Sequence, residues 1–188
     1  MKQDSTEVMS YVQLNNFLIG ANATWTPFKD FKSTTYHPGT VKKMNEAGAP
    51  KDNCFSKWLL QIDEAHKLCT GEGTVKISGT ENFLVIRDSL WYTRSITKKE
   101  DWPRVILYTA TPVSHFAADA VNLMSLLVDQ SVAWTDFWYK TDEHTGNREH
   151  IRSFKEANQQ FLDMYVSDDG SLTPDGLKKW YALCKGKI

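Results

Sequence analysis

Residues 59–68, Leu-Leu-Gln-Ile-Asp-Glu-Ala-His-Lys-Leu, decide the fold of this chain. The short apolar run from Trp58 to Ile62 ends abruptly in two carboxylates, Asp63 and Glu64. Such a run is typical of a parallel strand that is buried on both faces. Open α/β sheets keep their chemistry at the carboxyl ends of their strands. The stretch therefore predicts a strand that delivers two acids to a functional edge.

A second apolar run has the same design. Residues 104–112 read Arg-Val-Ile-Leu-Tyr-Thr-Ala-Thr-Pro, so this run ends in two hydroxyl side chains, Thr109 and Thr111. The residues between the two runs leave room for one strand-helix-strand crossover of ordinary size. We therefore predict an α/β fold with a mainly parallel sheet flanked by helices. In it, Trp58–Ile62 and Val105–Thr109 are central strands.

The two runs together resemble motifs II and III of superfamily 2 helicases. Residues 63–66 have the Asp-Glu-Ala-His pattern of motif II, and residues 109–111 are close to the Ser/Thr-Ala-Thr pattern of motif III. The chain resembles the first RecA-like lobe of Swi/Snf-type helicases of large nucleocytoplasmic DNA viruses. Relatives of these helicases include the poxviral nucleoside triphosphate phosphohydrolase and early transcription factor subunit. Residues 8–11 are similar to the segment called motif Ib. The resemblance implies one partial RecA-like domain, of the P-loop NTPase type, over residues 1–188.

The resemblance also implies a role for each motif residue. Asp63 would coordinate Mg²⁺ through water, and Glu64 would position the water that attacks the γ-phosphate of ATP. His66 would face Thr109 and Thr111 and couple the nucleotide state to the nucleic-acid site. Both segments end at one edge of one parallel sheet, so their tips can lie within hydrogen-bond reach.

A complete phosphoryl-transfer site needs further groups. It requires a cradle of backbone N–H groups with a Lys on the phosphates, and an arginine that stabilises the transition state. No Gly-x-x-x-x-Gly-Lys-Ser/Thr segment occurs in the 188 residues. In the resembled family this Walker A segment lies upstream of motif II, and the arginine belongs to a second lobe. We therefore expect neither ATP nor Mg²⁺ to bind tightly to this chain.

Three functions remain open at this point. The first is a fragment or degenerate form of a viral DEAH-type helicase, a nucleic-acid-dependent ATPase that is inactive alone. A partner subunit or a missing helicase lobe would complete it, and DNA or RNA would be its substrate. The second is a structural or interaction protein of the virion, a minor capsid-associated component that contacts virion proteins. The third is a nucleic-acid-binding or transcription accessory module. Catalytic-looking residues on a fold do not guarantee activity.

Composition and charge indicate in which compartment the protein is expected. The 22 basic and 23 acidic residues give a net charge of −1, so any contact with nucleic acid would be local. The three cysteines have no C-x-x-C spacing, which favours a reducing compartment. No run approaches roughly 18 apolar residues, and the N-terminus is unlike a signal peptide. We expect no membrane association and no secretion, and a location in the host cytoplasm (virus factory) or the virion.

Turn and capping signals predict most of the remaining elements. Residues 21–53 are interrupted by Pro and Gly and should be irregular. The apolar side chains of Glu81–Trp91 are compatible with the crossover helix. Phe154 to Tyr165 should form another helix, and Thr173 should cap a last helix that has Pro174 at its first position.

Other segments give weaker predictions. Val8–Tyr11 could form a short strand, and Ser114 could cap a helix after motif III. Trp134–Tyr139 is predicted as a short helix, and Thr141–Arg148 as a turn-rich connector.

Tryptophan is abundant, with seven residues in the chain. Trp25, Trp102, Trp134 and Trp138 lie in polar contexts. They are either an aromatic docking surface or part-buried amphipathic side chains, and the second arrangement is the more common. If residues 21–53 border a partner, Trp25 and Phe28 are the expected anchors.

Overall fold

A computed structural model of the chain describes residues 8–11, 13–14, 55–69, 79–113, 115–151 and 153–186. Within these ranges the fold is mixed α/β, with a small parallel sheet, an antiparallel hairpin and four α-helices. None of the helices in these ranges has the length and apolar character needed to span a bilayer. The elements are β1 (Leu59–Ile62), α1 (Gly79–Ile96), β2 (Arg104–Leu107), α2 (Asp119–Leu127), β3 (Tyr139–Thr141), β4 (Arg148–His150), α3 (Phe154–Tyr165) and α4 (Pro174–Cys184).

The first two strands are paired as the sequence predicts. β1 and β2 are parallel, with Leu60 opposite Val105 and Ile62 opposite Leu107. The strands and their parallel orientation are therefore confirmed. Among the described residues, each of these two strands pairs only with the other. Their position at the centre of a larger sheet stays a prediction.

The prediction that these strands are buried on both faces is wrong. On the inner face Leu60 and Ile62 are only 7% and 4% exposed, whereas on the outer face Leu59 and Ile106 are 53% and 40% exposed. Successive side chains of a strand point to opposite faces, so a continuous apolar run supplies one face to the core and one to solvent. The run predicts a strand, but it does not reveal whether a second layer covers it.

Helix α1 confirms the predicted crossover helix but lies at the centre of the core. Every side chain from Phe83 to Arg94 is buried. The helix packs against both the turn that follows β1 and helix α2. A helix buried on all sides must satisfy its own polar groups. Arg87 does so through an ion pair with Asp88 at 2.8 Å, and its guanidinium carbon lies 4.5 Å from the centre of the Trp91 ring.

A second buried arginine joins helix α1 to helix α2. Arg94 donates to the carbonyl oxygens of Leu126 at 2.8 Å and Val128 at 2.6 Å. These carbonyls end helix α2, where four C=O groups have no partner within the helix. Burial lowers the pKa of Arg94 to about 10, although Asp129 opposes the shift. The guanidinium therefore stays charged at neutral pH and stabilises the helix end.

Two of the tryptophans lie in the core and not on a docking surface. Trp138 and Trp134 are 2% and 4% exposed, so both interpretations made from their polar context are wrong for them. Trp138 packs against Phe83 and Phe154, with ring centres 6.3 Å and 5.4 Å away. Aromatic pairs at these separations stabilise a core beyond the area they bury. Trp102 is part-buried and donates to the Thr97 carbonyl at 3.3 Å.

The short helix and the turn-rich connector predicted after residue 134 are both present, but the connector joins two short strands of an antiparallel hairpin that was not predicted. Only Asp136–Trp138 is helical there, as one turn of 3₁₀-helix, and β3 then pairs with β4. The turn between the strands is held by the Asp142 carboxylate, which accepts from the backbone N–H groups of His144 and Thr145. Gly146 takes a φ of 69°, which a residue with a Cβ rarely adopts.

Both predicted C-terminal helices are confirmed, and so is the predicted cap of the last one by Thr173. Ser153 caps α3 and accepts from the Glu156 N–H, and Thr173 caps α4 and accepts from the Gly176 N–H. Pro174 occupies the first position of α4. These signals are local, because a cap needs only residues three positions apart.

The remaining predictions either concern residues outside the described ranges or differ from the structure. Residues 21–53 with Trp25 and Phe28, and also Ser114, lie outside the described ranges. The helix after motif III begins at Asp119. The predicted strand Val8–Tyr11 is wrong. Residues 8–10 have no regular structure, and residue 11 is helical in a turn where the Leu14 N–H donates to the Ser10 carbonyl at 2.9 Å.

A polar cluster connects the 3₁₀ turn to the C-terminal helices. Asp136 Oδ2 accepts from Lys179 Nζ at 2.6 Å and from the Tyr165 hydroxyl at 3.1 Å. Partial burial by itself raises the pKa of Asp136. The hydrogen bond and charge of Lys179, together with the Tyr165 hydroxyl, outweigh that effect and hold the pKa below its ordinary 3.8.

Acid should weaken this cluster. A carboxyl whose pKa is lower in the folded state contributes stability above its unfolded pKa, and this contribution is lost as the pH falls through the folded value. Asp136→Asn should therefore flatten the loss of stability below about pH 4. The effect is small because both side chains are partly exposed. Urea midpoints measured between about pH 2 and pH 7 test this. Lys179→Met should flatten the profile to a lesser extent, since the Tyr165 hydroxyl still stabilises the carboxylate. An unchanged profile in both variants would contradict the assignment.

Candidate functional site

The motif II segment forms a tight turn at the end of β1. Asp63 and Glu64 follow the strand directly, and residues 65–68 form one turn of 3₁₀-helix. The Tyr108 N–H donates to the Ile62 carbonyl, and the Ala65 N–H donates to the Tyr108 carbonyl, each at 2.9 Å. These bonds extend the parallel ladder beyond both strands. The motif II turn is thereby fixed to the end of β2.

Glu64 has an uncommon backbone conformation. Its φ of 49° and ψ of 46° are those of a left-handed helix. For a residue with a Cβ this conformation costs roughly 1–2 kcal/mol, so it persists only where neighbouring contacts require it. The Glu64 N–H donates to Asp63 Oδ1 at 2.9 Å, and the Glu64 carbonyl accepts from the Lys67 N–H at 2.9 Å. The two acids are thus connected to each other through the backbone.

The predicted approach of His66 to Thr109 is confirmed. His66 Nδ1 lies 3.0 Å from Thr109 Oγ1. It also lies 3.2 Å from Glu64 Oε2. Thr111 joins the group through its backbone, because its N–H donates to Thr109 Oγ1 at 3.2 Å. The structure therefore brings these four residues together, with Asp63 next to Glu64 in the same turn.

The imidazole of His66 can make two alternative hydrogen bonds. A protonated Nδ1 donates to the Glu64 carboxylate, which can only accept, whereas an unprotonated Nδ1 accepts from the Thr109 hydroxyl. The His66 side chain is 18% exposed, so it is largely shielded from competing water. The position of the imidazole proton therefore decides which of these hydrogen bonds Nδ1 makes.

Sequence reasoning missed one residue of the site, Tyr11. Its hydroxyl donates to the Asp63 carbonyl and also lies 3.2 Å from the Glu64 carbonyl. Burial, with contributions from Asp63, Glu64 and Cys69, raises the pKa of Tyr11 to about 12. The phenol therefore stays protonated and acts as a donor at neutral pH. The contact spans 52 positions of the chain, so no local pattern in the sequence could have indicated it.

A buried pair supports the site from the core. The Asp119 carboxylate is fully buried and accepts from the backbone N–H groups of His115 and Phe116, each at 3.0 Å. This clamp closes the loop between motif III and helix α2. Cys69, at the end of the motif II turn, lies against the Asp119 carbonyl. Burial, reinforced by the Asp119 charge, raises the pKa of Cys69 well above its ordinary value, so its thiol is protonated and serves as packing.

The side chains of the candidate site could hold a metal ion only through bridging water. The part of the chain that the structure describes contains no group of three His, Cys, Asp or Glu side chains that could hold a metal ion. Asp63 is exposed, and its Oδ1 already accepts from the Glu64 N–H. Mg²⁺ in phosphoryl-transfer sites keeps several waters and needs only one or two carboxylates besides the substrate phosphates. Asp63 can serve in that way, but these residues do not form a closed cage.

No family model, curated protein or solved structure matches this chain. Its function must therefore be argued from the motifs and their geometry.

Proposed function

We propose that this chain carries the motif II and motif III part of a nucleic-acid-dependent ATPase, in a partial RecA-like domain similar to viral DEAH-type helicases. The observation that carries the proposal is the 3.0 Å contact between His66 Nδ1 and Thr109 Oγ1. It joins the ends of two adjacent parallel strands, one of which also bears both acids. This edge of an open α/β sheet is where nucleotide chemistry is usually found.

The acids would divide the work of hydrolysis. Asp63 would hold Mg²⁺ through water, and the ion would neutralise charge on the phosphates. Glu64 would orient and deprotonate the attacking water. Its carboxylate is half exposed at the sheet edge, so it can reach a water that lies outside the core. Its contact with His66 gives the carboxylate a fixed partner on the side that faces the protein.

The contact between His66 and Thr109 would couple hydrolysis to nucleic acid. Thr109 follows β2 directly and leads into the loop that Asp119 clamps. A shift of that loop would move the Thr109 hydroxyl relative to His66, and His66 would transmit the shift to Glu64. The coupling needs no flexible linker, because His66 Nδ1 lies within hydrogen-bond distance of both the Thr109 hydroxyl and the Glu64 carboxylate.

The 188 residues would not turn over ATP by themselves. Nucleotide affinity in such sites comes largely from the Walker A backbone and its Lys, and the sequence contains no such segment. A helicase lobe or partner subunit would supply these groups and the arginine.

The alternative role as a docking protein of the virion is less well supported. It depended on tryptophans in polar contexts, and Trp134 and Trp138 belong to the core.

Paramagnetic broadening tests the proposed site without requiring turnover. Mn²⁺ with ATP, titrated into the ¹⁵N-labelled chain, should selectively broaden the amide signals of residues 63–66 and 109–111. Asp63→Asn should remove this broadening. The matched control is Asp169→Asn, which changes an exposed carboxylate in the turn before α4. Broadening centred on other acidic turns, and insensitive to Asp63→Asn, would refute the proposed function.

A further inference from the structure

Two non-glycine residues in the described ranges have a positive φ, Lys57 at 64° and Glu64 at 49°. Lys57 lies in the turn that precedes β1, where its N–H donates to the Asp101 carbonyl at 2.9 Å. Glu64 belongs to the candidate site, where it lies between Asp63 and His66 in the chain. A left-handed conformation is unfavourable for a residue with a Cβ, and it persists when the surroundings over-determine it. The contacts around Glu64 should therefore identify what holds it.

The carbonyl groups of Asp63 and Glu64, which lie on either side of the Glu64 Cα atom along the backbone, have one partner in common. The Tyr11 hydroxyl donates to the Asp63 carbonyl and lies 3.2 Å from the Glu64 carbonyl. Rotation of Glu64 into a right-handed or extended conformation changes the relative direction of these two carbonyls. They would then no longer converge on one hydroxyl group. The Tyr11 contact is thus specific for the conformation that Glu64 adopts.

Tyr11 is held in place by a capping box of its own. The Ser10 hydroxyl accepts from the Gln13 N–H at 3.2 Å, and the Gln13 side-chain oxygen accepts from the Ser10 N–H at 2.8 Å. This reciprocal pair fixes the first turn of a helix and the direction in which the chain enters it. Leu14, one turn further on, packs against the core. The Tyr11 ring is therefore anchored from both sides before it reaches the motif II turn.

We propose that Tyr11 is a positioning residue that holds Glu64 in its left-handed conformation and thereby aims the Glu64 carboxylate at the site. In this conformation Glu64 Oε2 lies 3.2 Å from His66 Nδ1. Without the Tyr11 hydroxyl, Glu64 relaxes towards ordinary backbone angles, and its carboxylate moves away from His66. The inference rests on the proposed function for its catalytic meaning, but the positioning itself does not require ATP.

NMR on the full 188-residue chain tests the positioning directly. The three-bond HN–Hα coupling and the Cα chemical shift of residue 64 both report its φ. Tyr11→Phe, which removes only the hydroxyl, should shift both values away from those of the left-handed region. The matched control is Tyr181→Phe, because Tyr181 is 67% exposed on helix α4. It should leave residue 64 unchanged. If Tyr11→Phe also leaves both values unchanged, the inference is overturned.

A double-mutant cycle provides an independent measurement. Tyr11→Phe should raise the unfolding equilibrium constant by only about twofold, because relaxation of the strained Glu64 offsets part of the lost hydrogen bond. In a Glu64→Gly background the same change should raise it by about fivefold, because glycine adopts the left-handed conformation without strain and no strain is left to be released. Lys57→Gly is the control background, since it relieves strain at a residue without a contact to Tyr11. There the effect should remain about twofold. Equal effects in all three backgrounds would overturn the inference.

A failure of the Tyr11 inference can be distinguished from a failure of the proposed function. The NMR and unfolding experiments contain no nucleotide, whereas the Mn²⁺ experiment depends on one. If residue 64 responds to Tyr11→Phe but Mn²⁺ with ATP broadens other acidic turns and not residues 63–66, the positioning stands and the ATPase proposal fails. If Mn²⁺ with ATP acts at Asp63 but residue 64 ignores Tyr11→Phe, the ATPase proposal stands and the positioning fails.

Discussion

Replacing Glu64 with Gln should lower ATP turnover by about a hundredfold to ten-thousandfold in any assembly that completes the site, which is the usual contribution of a general base. Glutamine has nearly the same size, and its amide oxygen can still accept from His66 Nδ1, which lies 3.2 Å from the carboxylate. It cannot take a proton from water. The loss should therefore appear in kcat, while the affinity for ATP stays close to that of the unchanged protein.

A steady-state phosphate-release assay measures this effect. The 188-residue chain alone should release phosphate no faster than buffer, with or without DNA, and Glu64→Gln should change nothing there. In the presence of a lobe that carries a Walker A segment and the arginine, turnover should appear and should depend on Glu64. Glu149→Gln is the matched control, because Glu149 is an exposed carboxylate on β4. Robust, Glu64-dependent and DNA-stimulated turnover by the chain alone would contradict the absence of a phosphate cradle.

Features with local causes could be predicted from the sequence. The strands β1 and β2 follow from short apolar runs, and the starts of α3 and α4 follow from Ser153 and Thr173, whose caps involve residues only three positions away. The contact between His66 and Thr109 also followed, because parallel strands bring their carboxyl ends to the same edge.

Features that depend on distant partners could not be predicted. The Tyr11 hydroxyl reaches Asp63 across 52 positions, and no pattern near either residue signals the contact. The β3–β4 hairpin has strands of three residues each, too short for a periodic pattern to be recognised. Its turn was predicted, because polar turn residues such as Asp142 and Gly146 occupy the segment between the two strands.

Burial was the least predictable property. Leu59 and Leu60 are adjacent and identical in chemistry, yet one is 53% exposed and the other 7%. Helix α1 shows the reverse case, since Arg87 and Asp88 are charged but buried. Charged side chains enter a core when they are paired, and that pairing depends on the tertiary structure. Residue type alone therefore indicated neither the open outer face of the β1–β2 sheet nor the central position of α1.

The largest effect on stability is expected from Trp138. Trp138→Ala should destabilise the fold by about 3–5 kcal/mol through lost packing. Trp138 Nε1 also donates to Asn122 Oδ1 at 2.9 Å, and Asn122 is itself only 2% exposed. Leaving this oxygen unpaired adds about 1–3 kcal/mol. Since domains are typically stable by about 5–15 kcal/mol, this variant should be close to unfolded.

Trp138→Phe keeps the test informative if the alanine variant does not fold. Phenylalanine retains an aromatic ring against Phe83 and Phe154 but loses the indole N–H, so it should cost about 1–3 kcal/mol. Urea unfolding followed by far-ultraviolet circular dichroism measures both variants without depending on tryptophan fluorescence. Trp58→Ala is the control, because Trp58 is 38% exposed, and it should cost clearly less than Trp138→Ala. Equal small costs at both positions would mean that Trp138 belongs to a surface, and the docking interpretation of the tryptophans would then have to be restored.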